Sequence, residues 1–164
     1  MTTTVLLVDD HPVVRSGLRA VLDSADGVHV AGEAATGEEA LTLVAHLHPD
    51  VVLCDLRLGQ GIDGIQTTAA LRAFDPAPAV LILTPFDRDA EILGAIEAGA
   101  AGYLLKDVDP EVIVDGIRRA AAGETVLAPD LASRVLKGMR SPLPKLTDRE
   151  VDVLRLLASG STNK

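Results

Sequence analysis

Val51-Val52-Leu53-Cys54-Asp55 is an apolar run of four residues that stops on a carboxylate. Its apolar residues are consecutive rather than alternating, as in a strand buried on both faces. Working outward, the chain repeats the device. Val5-Leu6-Leu7-Val8 leads into Asp9-Asp10, Val80-Leu81-Ile82-Leu83 into Thr84, and Gly102-Tyr103-Leu104-Leu105 into Lys106, while Val28-His29-Val30-Ala31 offers a fifth strand. The intervening stretches carry helical periodicity: Val14, Leu18 and Val21-Leu22; Ala40-Leu41, Val44 and Leu47; Ile92 and Ile96; Val112-Ile113 and Ile117. Thr36 with Glu39 has the spacing of a capping box, and Gly99 and Gly123 fall where helix C-termini need a left-handed residue. Strands alternating with helices predict an α/β fold with a parallel sheet covered on both faces. Right-handed crossovers bring every strand's C-terminal end to one edge, where such sheets bind ligands.

Five polar side chains follow those strand ends. Asp9, Asp10, Asp55, Thr84 and Lys106 are therefore expected to converge: three carboxylates, a hydroxyl and an ammonium. Each alone has a local explanation, such as a helix cap for Asp9 or Asp10 and a surface charge for Lys106. Five such accidents on one edge are a poor account of the set. Three neighbouring carboxylates repel unless a cation lies among them, and an oxygen-only donor set suits Mg²⁺ or a similar divalent ion such as Mn²⁺. With the metal present, one carboxylate can act as nucleophile toward a phosphoryl group, while the ammonium and the metal neutralise the transferring oxygens.

Composition limits the alternatives. Of the 164 residues, 48% are hydrophobic but only 2% aromatic, so the core must be aliphatic. The apolar runs fall far short of the roughly 18 residues of a membrane span. The first residues, Met1-Thr2-Thr3-Thr4, do not read as a signal peptide, and a lone Cys54 suits a reducing compartment. A cytoplasmic location is expected. Residues 1–126 hold 20 Asp/Glu against 8 Lys/Arg, net −12, whereas residues 127–164 hold 4 against 7, net +3. The acidic body repels nucleic acid, so any DNA contact is expected of the C-terminal part. Asp9-Asp10-His11-Pro12 in the first strand–helix turn offers like charge to a phosphate where a nucleotide or flavin carrier would offer glycine amides.

The motifs Val8-Asp9-Asp10-His11-Pro12, Cys54-Asp55-Leu56, Leu83-Thr84 and Gly102-Tyr103-Leu104-Leu105-Lys106-Asp107 resemble the receiver domain of two-component response regulators. His11-Pro12-Val13-Val14-Arg15-Ser16-Gly17-Leu18 and Leu146-Thr147-Asp148-Arg149-Glu150-Val151 narrow the likeness to the NarL/FixJ class, which joins a receiver to a LuxR-type helix-turn-helix. The resemblance implies a flavodoxin-like, doubly wound, five-stranded sheet of order 2-1-3-4-5. It implies a receiver over 1–126, a linker with a short helix over 127–145, and the start of a helix-turn-helix domain over 146–164. Asp55 is implied as phospho-acceptor, with Asp9, Asp10, Asp55 and the Arg57 carbonyl on the metal. Thr84 and Lys106 are implied as phosphate contacts, and Thr84 with Tyr103 as the switch pair. A sensor histidine kinase is the implied donor, the protein is implied to be a signalling switch rather than an enzyme, and a homodimer is implied. DNA binding is expected only of a longer chain, because a helix-turn-helix reads sequence with its second helix, beyond Lys164.

Two departures from the family pattern stand out. Leu58-Gly59-Gln60-Gly61-Ile62 replaces a shorter proline-containing path to Asp63-Gly64, which predicts a more mobile acceptor loop. Pro85 after Thr84 locks φ and removes an N–H, which predicts a stiffer fourth loop. The remaining polar residues have plain readings: Cys54 as a core side chain, His11 packed near the acidic edge, His46 and His48 as solvated helix-end residues, and Arg118-Arg119 as a solvent face.

Overall fold

A computed structural model describes residues 2–85 and 88–140. The expected Ser141–Pro144 linker and the helix opened by Thr147 and Glu150 lie outside the described residues, as do residues 86 and 87 after Pro85.

The strands are β1 (Thr3–Val8), β2 (Val28–Ala34), β3 (Val51–Cys54), β4 (Ala79–Thr84), β5 (Gly102–Leu105) and β6 (Val126–Leu127). The helices are α1 (Pro12–Asp23), α2 (Gly37–Leu47), α3 (Gly64–Leu71), α4 (Asp89–Glu97), α5 (Pro110–Ala121) and α6 (Pro129–Arg140). All strands pair in parallel, in the order 2-1-3-4-5-6. The expected order is thus present, and the expected count of five is corrected to six. The added strand exists because Gly102 lets it approach: a Cβ on Gly102 would lie 2.2 Å from the Val126 carbonyl oxygen. A two-residue strand carries too little apolar sequence to stand out beforehand.

Two aliphatic layers bury the sheet. Val5, Leu7, Leu53, Leu81 and Leu104 pack with Leu22 of α1 and Ile113 and Ile117 of α5. Leu6, Val8, Val52, Cys54 and Ile82 pack on the other face with Ala40 and Val44 of α2, Leu71 of α3 and Ile92 of α4. Adjacent strand residues point to opposite faces, so the unbroken apolar runs serve both layers.

Local chemistry places the helices. Pro12 opens α1, where its missing N–H costs nothing. The Thr36 hydroxyl accepts the Glu39 N–H of α2, as expected, while the Glu39 carboxylate accepts the Ala35 N–H one residue earlier than a capping box requires. Gly99 and Gly123 adopt φ of 102° and 87°. Helix α3 carries no aliphatic stripe long enough to reveal it. Its buried face includes Thr67 and Thr68, whose hydroxyls donate to the carbonyls of Asp63 and Gly64 one turn back. Its cap was the available signal: the Asp63 side chain accepts the Gln66 N–H while the Gln66 side chain accepts the Asp63 N–H.

Helix α6 is the short helix expected within 127–145. It docks on α4, with Leu131 buried in the core and Arg134 donating to Asp89 Oδ1 through Nε at 3.1 Å and Nη2 at 2.7 Å. Leu131→Ala is expected to cost about 2–4 kcal/mol in chemical denaturation, as for a buried leucine. Leu136→Ala, at a position 49% exposed, should change stability by no more than about 0.5 kcal/mol.

Candidate functional site

The parallel ladders continue one step past the strands and carry the polar residues with them. The Asp9 N–H donates to the Ala34 carbonyl at 3.0 Å, the Asp55 N–H to Val8 at 2.8 Å, and the Lys106 N–H to Thr84 at 2.9 Å. The backbones of Asp9, Asp55 and Lys106 are therefore held in sheet register, and their side chains meet at the C-terminal edge. Lys106 Nζ donates to Asp9 Oδ2 at 2.9 Å and to Asp55 Oδ2 at 3.3 Å. Asp9 and Asp55 are 2% and 5% exposed, so the ammonium lies between two buried carboxylates. Thr84 is fully buried at the end of β4, and Tyr103 is fully buried on β5 in the layer that faces α2, α3 and α4.

His11 supplies a second contact to the acids. Its N–H and its Nδ1 each lie 2.9 Å from Asp9 Oδ1. The same ring nitrogen is 2.9 Å from Asp10 Oδ1, in ionic contact but without hydrogen-bonding geometry. Arg15 of α1 donates to the Asp9 carbonyl and pairs with Glu33 at 3.1 Å.

Burial pushes the Asp9 carboxyl up, but hydrogen bonds from Lys106 and from the His11 backbone and ring outweigh it and hold the group below the ordinary carboxylate range. For Asp55 burial dominates: with the Asp9 charge it holds this carboxyl above that range despite Lys106. Burial alone would lower Lys106, yet the Asp9 hydrogen bond and the two carboxylate charges keep it raised. The Asp9 hydrogen bond and the charges of Asp10 and Asp9 raise His11. Burial pushes the Cys54 thiol far up, so it is an inert core side chain, as expected.

One ligand atom from each of Asp9, Asp10, His11 and Asp55 lies within 4.8 Å of the others. Asp55 Oδ1 and Asp10 Oδ1 are buried and have no hydrogen-bond partner among the described residues. Oxygens of three acids this close together, two of the acids each with a buried oxygen that accepts no hydrogen bond, suit a hard divalent cation. The residues fit such an ion.

Beside this cluster, the loop from Arg57 to Asp63 hydrogen-bonds to itself and to α2. The Gln60 N–H donates to Leu58 at 2.7 Å, and the Ile62 N–H to the Glu38 carboxylate at 3.1 Å. The glycines leave room for the Asp10 and Glu38 carboxylates beside the loop. Sequence reading also missed the Arg57 side chain, which pairs with Glu91 of α4 at 3.1 Å. No spacing rule joins residues 34 apart on different elements.

Residues 5–118 match the family model of the response regulator receiver domain. The chain belongs to the response-regulator family. The regulator is 38% identical to a nitrate/nitrite response regulator homolog of Haemophilus influenzae over 98% of its own length and 77% of the relative's. It is 42% identical to the transcriptional regulatory protein LiaR of Bacillus subtilis over 98% and 78%. The crystal structure of a LuxR-family two-component response regulator from Aurantimonas superposes with a TM-score of 0.79 at 38% identity, covering 86% of this chain and all of that one. These relatives place the regulator in the NarL/FixJ class, so it is a phosphorylation-controlled transcriptional regulator. Among the described residues no helix is long and apolar enough to cross a membrane.

A buried acid whose folded pKa is raised costs stability once pH exceeds its unfolded value, and the full cost is present above the folded value. Asp55→Asn is therefore expected to melt higher than the unaltered regulator at neutral pH in metal-free buffer. The difference should vanish as pH falls below the ordinary carboxylate range. Equal melting temperatures at pH 7 would mean that Lys106 fully offsets the burial of this charge.

Proposed function

We propose that Asp55 is the phospho-acceptor of this regulator and that Asp9, Asp10, Asp55 and the Arg57 carbonyl hold Mg²⁺, or Mn²⁺ in its place. The supporting observation is the unpartnered Asp55 Oδ1 beside an ammonium already bound to Oδ2. In the transfer, an Asp55 carboxylate oxygen forms the new bond to phosphorus. The bond from phosphorus to the donor histidine of a sensor kinase breaks, and that nitrogen keeps the electron pair. A cation held by Asp9, Asp10, Asp55 and the Arg57 carbonyl would add positive charge against the charge developing on the phosphoryl oxygens. Lys106, fixed between Asp9 and Asp55, supplies the protein's own positive charge to the same oxygens. Thr84, one ladder step from Lys106, donates its hydroxyl to the phosphoryl group and shifts together with Tyr103.

The group is transferred to the protein itself, so the chain is a switch and not a turnover enzyme. A phosphoryl group adds about −1.5 to −2 charge at neutral pH. The resulting change passes to a homodimer interface and to a C-terminal domain that contacts DNA in the complete regulator, in the cytoplasm. The path favoured by the contacts begins at Arg57, which holds Glu91 on the first turn of α4, and ends at Asp89 on the same turn, which holds Arg134 of α6.

Incubation with acetyl phosphate and Mg²⁺ is expected to give a retarded band on a phosphate-affinity gel, absent from Asp55→Ala and weakened in Lys106→Ala. Undiminished phosphate uptake by Asp55→Ala would overturn the acceptor assignment.

A further inference from the structure

We infer that Glu38 is a positioning residue for the divalent cation, bracing the loop that presents the Arg57 carbonyl. The inference rests on the metal reading given above. Glu38 and Glu39 share the first turn of α2 but do different work. Glu39 is committed to the Ala35 N–H at 2.8 Å, whereas Glu38 reaches across the surface to the Ile62 N–H at 3.1 Å.

The main chain of the loop is shaped to receive that carboxylate. Gly61 has φ 73°, and a Cβ on it would lie 2.3 and 2.6 Å from the two Glu38 oxygens, so backbone lies directly against the carboxylate. Gly59 has φ 72°, and a Cβ there would lie 2.7 Å from Asp10 Oδ2. The Ile62 side chain seats against Gly37 at the start of α2, where a Cβ would meet it at 2.5 Å. The loop thus lies against an acid of the pocket at one end and is hydrogen-bonded to α2 at the other. Without Glu38, two positive-φ glycines regain freedom, and Arg57 is presented by a broader set of conformers.

Mg²⁺ titration of the 164-residue chain by calorimetry tests the tether. Glu38→Ala is expected to bind Mg²⁺ about five- to tenfold more weakly, the worth of one ordinary hydrogen bond. Glu38→Gln, which keeps an acceptor oxygen, should restore most of the affinity. The metal-free melting temperature of Glu38→Ala should fall only slightly, because the residue is exposed and loses one surface hydrogen bond. Gly61→Ala should weaken binding as well, with little further loss when combined with Glu38→Ala, because both act on one contact. Unaltered affinity in Glu38→Ala overturns the inference. Equal loss in Glu38→Gln also overturns it, because the negative charge would then be the cause. If the unaltered chain shows no saturable Mg²⁺ binding, the metal reading fails and takes this inference with it.

Discussion

Two buried carboxylates share one ammonium at the edge of the sheet, and the rest of the site follows from their inability to separate. The Asp9 and Asp55 backbones each extend a parallel ladder by one hydrogen bond, so the charges are fixed by β-sheet geometry before any side chain chooses a rotamer. Taking a carboxylate out of water is costly unless it is paired and hydrogen-bonded. Lys106 satisfies Oδ2 of both acids, and His11 satisfies Asp9 Oδ1. Asp55 Oδ1 has no such partner among the described residues. The opposite shifts of Asp9 and Asp55 have this origin: similar burial, unequal hydrogen bonding. Asp9 is the settled acid and Asp55 the unsettled one, a division suited to one carboxylate that anchors and another that reacts.

Few contacts join the segment after Asp55 to α6. Arg57 is two residues from Asp55, and its guanidinium holds Glu91. Asp89, two residues earlier on α4, holds Arg134 of α6. Exposed ion pairs of this kind are weak, typically about 0.2–1 kcal/mol each. Weakness suits coupling between two states, because a contact that must exchange cannot dominate either of them. Leu131 provides the opposite: a buried apolar anchor that holds α6 in the core.

Much of this was legible in the sequence because the strands announce themselves twice, by an apolar run and by the polar residue that ends it. Asp9, Asp55, Thr84 and Lys106 were readable from that rule alone, since parallel topology leaves their side chains one edge to share. Elements whose burial is not aliphatic escaped. Helix α3 hides behind Thr67 and Thr68, which satisfy their hydroxyls within the helix and so pack as apolar groups. β2 runs on to Ala34, past the expected Ala31, although Gly32 and Glu33 break its apolar run; as an edge strand it can point Glu33 outward to Arg15 and Arg19. Glu38 was passed over beside Glu39, because a capping rule explains one of two adjacent acids and is silent about the other.

The acceptor loop shows what glycine contributes besides mobility. Glycine was expected to loosen the segment from 58 to 62, since it costs most to order. Yet both loop glycines lie where main chain touches a carboxylate closely enough to exclude any side chain. At positive φ, a residue with a Cβ would add strain to that collision. The same atoms that leave the unfolded loop free are those whose absence lets Asp10 and Glu38 approach, so flexibility and close contact are one property seen in two states. A proline in this loop would fix its shape covalently, whereas here two glycines leave room for a carboxylate at each end. One of those carboxylates, Asp10, belongs to the acidic cluster itself, so a cation held there as proposed would lie beside the contact between Asp10 and the loop.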